Sequence, residues 1–133
     1  MPIIIPHNHT RCVICQQPFF NDQPLQFEML DTGAVRAEIV ATQRTQGYDE
    51  VMQGGLVAAL HDTAMLHCLF GQGIKAMTVK LEMRYHFPVV LEKLLVIDAA
   101  LLKSKHGVYF LESQVSIDGV ICSSAKSQFM SIA

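Results

Sequence analysis

Leu56-Val57-Ala58-Ala59-Leu60-His61-Asp62-Thr63-Ala64-Met65-Leu66-His67-Cys68-Leu69-Phe70 is the stretch whose reading decides the fold. It has no proline, is rich in Ala, Leu and Met, and runs into Gly71, a C-terminal stop signal. These residues predict one helix. Leu56 to Leu60 are apolar in succession, so the helix is apolar almost all round. Such a helix is buried on most sides. A single buried helix needs a sheet to cover it.

The flanking sequence supplies that sheet. Upstream, Leu25–Asp31 alternates Leu25, Phe27 and Met29 with Gln26 and Glu28, a strand pattern. Asp31-Thr32-Gly33 reads as a turn, and Ala34–Thr42 as a second strand. Thr42–Gln53 is polar and contains Gly47, so it reads as a loop. Downstream, Ala76–Phe87 sets Met77, Val79, Leu81, Met83, Tyr85 and Phe87 on one side. Thr78, Lys80, Glu82, Arg84 and His86 take the other. Leu94–Ser104, Val108–Asp118 and Val120–Ile132 follow as strands, and Asp118-Gly119 between the last two is a hairpin signal. The expected class is α+β: five to six antiparallel strands wrapped round one long central helix. Residues 1–24 hold four of the five prolines and read as an irregular arm; residues 25–133 form a single domain.

The composition sets limits on function. The chain has 133 residues, a net charge of -2, 50% hydrophobic and 17% charged residues. That excludes disorder. A pI near 6.3 and the lack of any Lys/Arg run exclude nucleic acid as a partner. The apolar stretches are broken by charges and histidines, so no spanning helix is expected and no membrane partner. Nothing resembles a signal segment, which implies a cytoplasmic chain with its four cysteines reduced. So apolar a small domain is expected to hide surface against copies of itself.

Gln46-Gly47-Tyr48-Asp49-Glu50-Val51-Met52-Gln53-Gly54-Gly55, continuing through Asp62 to Met65, resembles the signature of hotdog-fold acyl-CoA thioesterases. The closest branch is the PaaI-like, phenylacetate-degradation type. Met77–Pro88 resembles that family's next strand, and Cys12-Val13-Ile14-Cys15 the opening of many members. The resemblance implies a hotdog fold, a homodimer or a dimer-of-dimers tetramer, and acyl-CoA hydrolysis. It implies no cofactor beyond the coenzyme A of the substrate. It points to the Gly54 N–H as the likeliest oxyanion donor. It also matches Thr78 to a Ser or Thr that orients the carboxylate or its water. Gln53 stands where the family has His. Gly47 stands where relatives often carry a polar side chain, a place that Gln46 can fill. Met52, His61, Met77 and Val79 are the expected pocket residues around these.

Elementary chemistry supports part of this. Gly54 and Gly55 sit where the helix begins, and the first N–H groups of a helix lack internal partners. They can hold an oxyanion, or the glycines can simply make a tight turn. Asp62 interrupts an apolar helix, and a buried carboxylate is costly without a task. It would act as general base or as nucleophile. At 1.5 Å per residue Gly54 and Asp62 lie about 12 Å apart, so one thioester carbonyl cannot readily meet both within one chain. Donor and carboxylate are therefore expected from two subunits of a symmetric dimer.

Three other readings remain open. An acyl-CoA-binding hotdog protein with weak or no turnover fits Gln53 and Gly47. A hotdog hydratase would need a histidine, and His61 is the nearest. His7, His9, Cys12 and Cys15 have an H-x-H-x2-C-x2-C spacing suited to zinc, although a single CxxC is weak support and no metal is the expectation.

Overall fold

The computed structural model describes residues 2–132; Met1 and Ala133, the outer ends of the two expected segments, lie outside the described residues. The chain runs β1 (Glu28–Met29), β2 (Val35–Val40), α1 (Gly54–Gly71), β3 (Ala76–Tyr85), β4 (Leu94–Lys105), β5 (Val108–Ile117) and β6 (Val120–Ser131). Short 3-10 turns form at His7–His9 and Gln43–Thr45. All strands pair antiparallel in one six-stranded sheet, in the order β1-β2-β4-β5-β6-β3. The sheet curls round α1. This is the hotdog architecture.

Local chemistry explains the meander. His106-Gly107 and Asp118-Gly119 take positive φ at both residues, the two-residue turn whose twist matches its flanking strands. The core lies between α1 and the sheet. Leu60, Ala64, Met65, Cys68 and Leu69 are sealed, as are Leu95, Ile97, Leu111, Val115 and Phe129. No helix is long and apolar enough to cross a membrane among the described residues.

Three local expectations shift. The first strand, expected over Leu25–Asp31, is paired only at Glu28–Met29. Leu25 and Phe27 are buried, so the alternation reflects packing rather than ladder pairing. The helix begins two residues early, taking in both glycines. In β3 the apolar side is not buried: Met77, Val79, Tyr85 and, just beyond, Phe87 are more than half exposed. β3 is an edge strand, and a bulge between Thr78 and Lys80 breaks its alternation.

Two faces of α1 differ. One packs on the sheet. Ala58, Ala59, Asp62 and Leu66, spaced three to four residues apart, form a half-buried stripe that this chain does not cover.

Candidate active site

The helix start is built by Gln53, Gly54 and Gly55. Gln53 is the N-cap: its side-chain Oε1 accepts from the Leu56 N–H at 2.9 Å, and its carbonyl accepts from Leu56 and Val57 at 2.9 and 3.1 Å. Glutamine here does what a shorter polar residue usually does. The Gly54 and Gly55 N–H groups have no hydrogen-bond partner among the described residues, so the positive end of the helix presents two free donors. A Cβ on Gly55 would lie 2.9 Å from the Gln53 Oε1, so a side chain there would push the Gln53 cap aside. A Cβ on Gly54 would meet nothing nearer than the Tyr85 hydroxyl at 3.9 Å. Packing within the chain does not require glycine at 54, but close approach of a ligand would.

The loop before the helix closes on itself. The Gly47 N–H donates to the Val51 carbonyl, and a Cβ on Gly47 would sit 3.0 Å from the Gln53 backbone. Gln46 Oε1 accepts from the Glu50 N–H at 2.9 Å, so its carbonyl oxygen is committed to the loop. Gly47, Tyr48, buried Met52, Gln53 and Gly54 surround a cavity of about 330 Å³. The Tyr85 hydroxyl donates to the Gly54 carbonyl at 2.7 Å, tying the end of β3 to the helix start. The strand alternation sets Tyr85 on the apolar side with Met77 and Val79; only the fold brings this bond, across 31 residues, into view.

Asp62 lies two turns further along. The Thr78 hydroxyl donates to its Oδ1 at 2.6 Å, while the other carboxylate oxygen has no partner among the described residues. Burial raises the Asp62 carboxyl above its ordinary value, and the Thr78 hydrogen bond draws it partly back. Beside it, Leu66, Met77 and Thr78 together with Pro6, Asn8 and His9 of the arm line a second cavity of about 410 Å³. Val79, at the bulge, is exposed on the strand edge. The chain therefore keeps the unpartnered backbone donors and the carboxylate apart, two helical turns from one another.

His61 is a correction. It was expected in the substrate pocket, but it is fully buried, with Nδ1 2.5 Å from the Ser113 hydroxyl and Nε2 2.6 Å from the Ser123 hydroxyl. One ring nitrogen donates and the other accepts. Burial pushes its pKa down to about 4, so it stays neutral. The ring faces the sheet, 100° round the helix from Asp62. A substrate cannot reach it, and the histidine on which a hydratase would depend is removed. Of the N-terminal candidates, His9, Cys12 and Cys15 come together, and exposed His7 stands outside that cluster.

No protein-family model and no curated protein sequence matches the chain. Solved structures do match. A thioesterase superfamily protein superposes with a TM-score of 0.77 at 28% identity over 80% of this chain, which spans 56% of that protein's length. The E. coli PaaI protein from the phenylacetic acid degradation operon gives a TM-score of 0.75 at 14% identity, covering 82% of this chain and 80% of its own. A hypothetical thioesterase from Streptococcus pneumoniae with coenzyme A gives 0.77 at 15% identity, covering 84% of this chain and 90% of its own. Two more structures of that protein are alanine variants, one at an aspartate and one at a threonine sixteen residues further on.

Proposed function

On the premise of the hotdog fold shared with thioesterase superfamily proteins, PaaI-like ones included, we propose that this chain hydrolyses acyl-CoA thioesters at composite sites between two of its copies. The observation that carries the reading is the Asp62–Thr78 pair: a half-buried carboxylate, oriented by one hydroxyl, beside an apolar cavity. The same sixteen-residue Asp-to-Thr separation occurs in the Streptococcus pneumoniae variants.

The strand edge supports a dimer. One side of β3 bonds to β6, and its other side carries unpaired backbone with exposed Met77, Val79, Tyr85 and Phe87. Unpaired apolar edges invite another strand. In an antiparallel two-fold pairing centred near Leu81 and Glu82, Thr78 of one copy comes opposite Tyr85 of the other. Thr78 holds Asp62 and Tyr85 holds Gly54. The pairing thus brings the carboxylate of one copy toward the helix start of the other, and two equivalent sites result.

In such a site Asp62 takes a proton from water, and the water oxygen attacks the thioester carbonyl carbon. The Gly54 and Gly55 N–H groups of the other copy receive the oxyanion, with the Gln53 amide NH2 at hand. Collapse breaks the carbon–sulfur bond, and the coenzyme A thiolate takes up the proton. If Asp62 is instead the nucleophile, it forms an acyl anhydride as the thiolate leaves, and water then hydrolyses it. Thiol release measured over a panel of aryl, short-chain and medium-chain acyl-CoAs tests the reading. The wild type is expected to turn over at least one class and Asp62→Asn none above background. Equal rates for the two on every substrate overturn it.

A further inference from the structure

We propose that the N-terminal arm holds a zinc ion, bound by His9, Cys12 and Cys15 and completed by His67 of α1. The three arm residues recur every third position, and the backbone winds them onto one side. The His9 N–H donates to the Pro6 carbonyl, the Cys12 N–H to His9 and the Gln16 N–H to Cys12, at 2.9, 3.1 and 3.0 Å. Their ligand atoms lie within 4.8 Å of one another. The His9 Nε2 and Cys15 Sγ are 3.4 Å apart. Zinc bonds of about 2.0 Å to nitrogen and 2.3 Å to sulfur at a tetrahedral angle place those two atoms about 3.5 Å apart. That edge therefore already has about the length a bound zinc requires.

His67 supplies an independent observation. It is 3% exposed, and its Nε2 is the buried side-chain nitrogen or oxygen left without a hydrogen-bond partner among the described residues. Native interiors rarely leave such an atom unmatched. His67 shares a corner with the arm: its ring packs 5.4 Å from that of Phe70, and the His9 ring packs 5.0 Å from it on the same residue. His67 lies outside the cluster of three, so binding would need the arm to close onto the helix and bring two imidazoles and two thiols to one point. Two thiolates balance the charge of Zn2+, which suits a corner where Cys15 is fully buried. Binding releases the two thiol protons to solvent.

The ion has a structural task. Residues 10–27 contain no helix or strand, yet Cys15 and Phe20 reach the core. A metal clip would hold this irregular segment in place. Pro6, Asn8 and His9 also wall the cavity beside Thr78. On the thioesterase reading, which this last consequence rests on, the ion fixes one wall of the acyl pocket.

The test uses the full chain without a histidine tag. Elemental analysis is expected to find about one zinc per chain. After zinc removal, added Co2+ should give the visible bands of tetrahedral cobalt with thiolate charge transfer. Cys12→Ser and Cys15→Ser should each abolish that spectrum, and His67→Gln should weaken binding at least tenfold. Less than a tenth of an equivalent of metal, with no cobalt spectrum while a thiol count finds Cys12 and Cys15 reduced, overturns the proposal. So does a Cys12–Cys15 disulfide in freshly purified protein. His67→Gln binding as tightly as wild type removes His67 from the ligand set. Metal content is read without any substrate, so a chain that binds zinc but releases no thiol overturns the thioesterase reading alone.

Discussion

His61 and Asp62 are adjacent in the chain and sit 100° apart on different faces of one helix. His61 faces the sheet, fully buried, with both ring nitrogens matched by serines 52 and 62 residues away. Asp62 faces the uncovered stripe, with one oxygen matched and one open. The first is a polar group made safe by complete satisfaction; the second is kept partly unsatisfied at a cost. On the proposed function, the fully satisfied residue is structural and the partly open one is the group that acts. That difference also predicts that mutations at the two positions separate stability from activity.

The largest effects are expected on the Asp62 side. Asp62→Asn should lower kcat by about 10²–10⁴. Because burial raises the Asp62 carboxyl, its ionised form is less favourable folded than unfolded. That penalty grows as pH rises through the window above the ordinary carboxylate value, so the asparagine variant should be at least as stable as wild type at pH 7. Gly54→Pro removes the proposed oxyanion donor at the first helical position, where proline is tolerated. Gln53 already has the extended φ −60°, ψ 135° that a following proline requires. A loss of about 10²–10³ is expected. Each variant alone should be strongly impaired, but mixed subunits should regain activity, because one of the two composite sites then has both groups. No recovery on mixing, with subunit exchange verified, would place both groups in one chain.

The other face should show the opposite behaviour. His61→Leu leaves the Ser113 and Ser123 hydroxyls buried without partners. Each such orphan costs about 1–3 kcal/mol, so denaturant melts should show a loss of roughly 2–6 kcal/mol while activity per folded molecule stays near wild type. Activity lost in proportion to Asp62→Asn would collapse the comparison.

The buried face also predicts pH behaviour. Burial holds His61 at about 4, below its ordinary 6.5. A base with a depressed folded pKa binds fewer protons folded than unfolded. Stability is therefore full above about 6.5 and is lost as pH falls toward 4, by roughly 3 kcal/mol. Melts at stepped pH should show this slope, and His61→Leu should remove it.

Much of this was legible in the residues, and what was not follows from distance in sequence. Leu56 to Leu60 announced a buried helix, and Asp118-Gly119 a hairpin, because both are local patterns. Gly54, Gly55 and Asp62 stood out because glycine pairs and a lone carboxylate are anomalous in such a helix. Thr78 came from resemblance rather than from its neighbours. The orientation of His61 was not legible, since its partners are serines on β5 and β6, and serines in strands carry no signal of what they face. Nor was the exposure of Met77, Val79 and Tyr85, because alternation reveals two faces but not whether the chain has anything to cover one of them. Tyr85 reads as strand packing until the fold brings its hydroxyl to Gly54.

Smaller effects sharpen the Asp62 side. Thr78→Val removes the one hydrogen bond that draws the Asp62 carboxyl down. The acid limb of kcat/KM should move to higher pH, with activity at pH 7 lowered by about tenfold, the equivalent of 1.4 kcal/mol. Thr78→Ser keeps the hydroxyl and should restore the limb; a limb that stays put in Thr78→Val would show that Thr78 only packs.

Tyr85→Phe should have the smallest effect. It removes a bond to the Gly54 carbonyl, not to a group that touches substrate. One such neutral bond contributes about 0.5–1.5 kcal/mol, so a loss of a few-fold is expected. The loss should fall on kcat rather than on substrate affinity, because loosening the helix start misaims the Gly54 and Gly55 donors that act on the oxyanion but leaves the acyl cavity beside Thr78 intact. A rise in KM with kcat unchanged would instead place Tyr85 against the bound substrate. It would then join Met77 as part of the pocket rather than the frame that holds the donors.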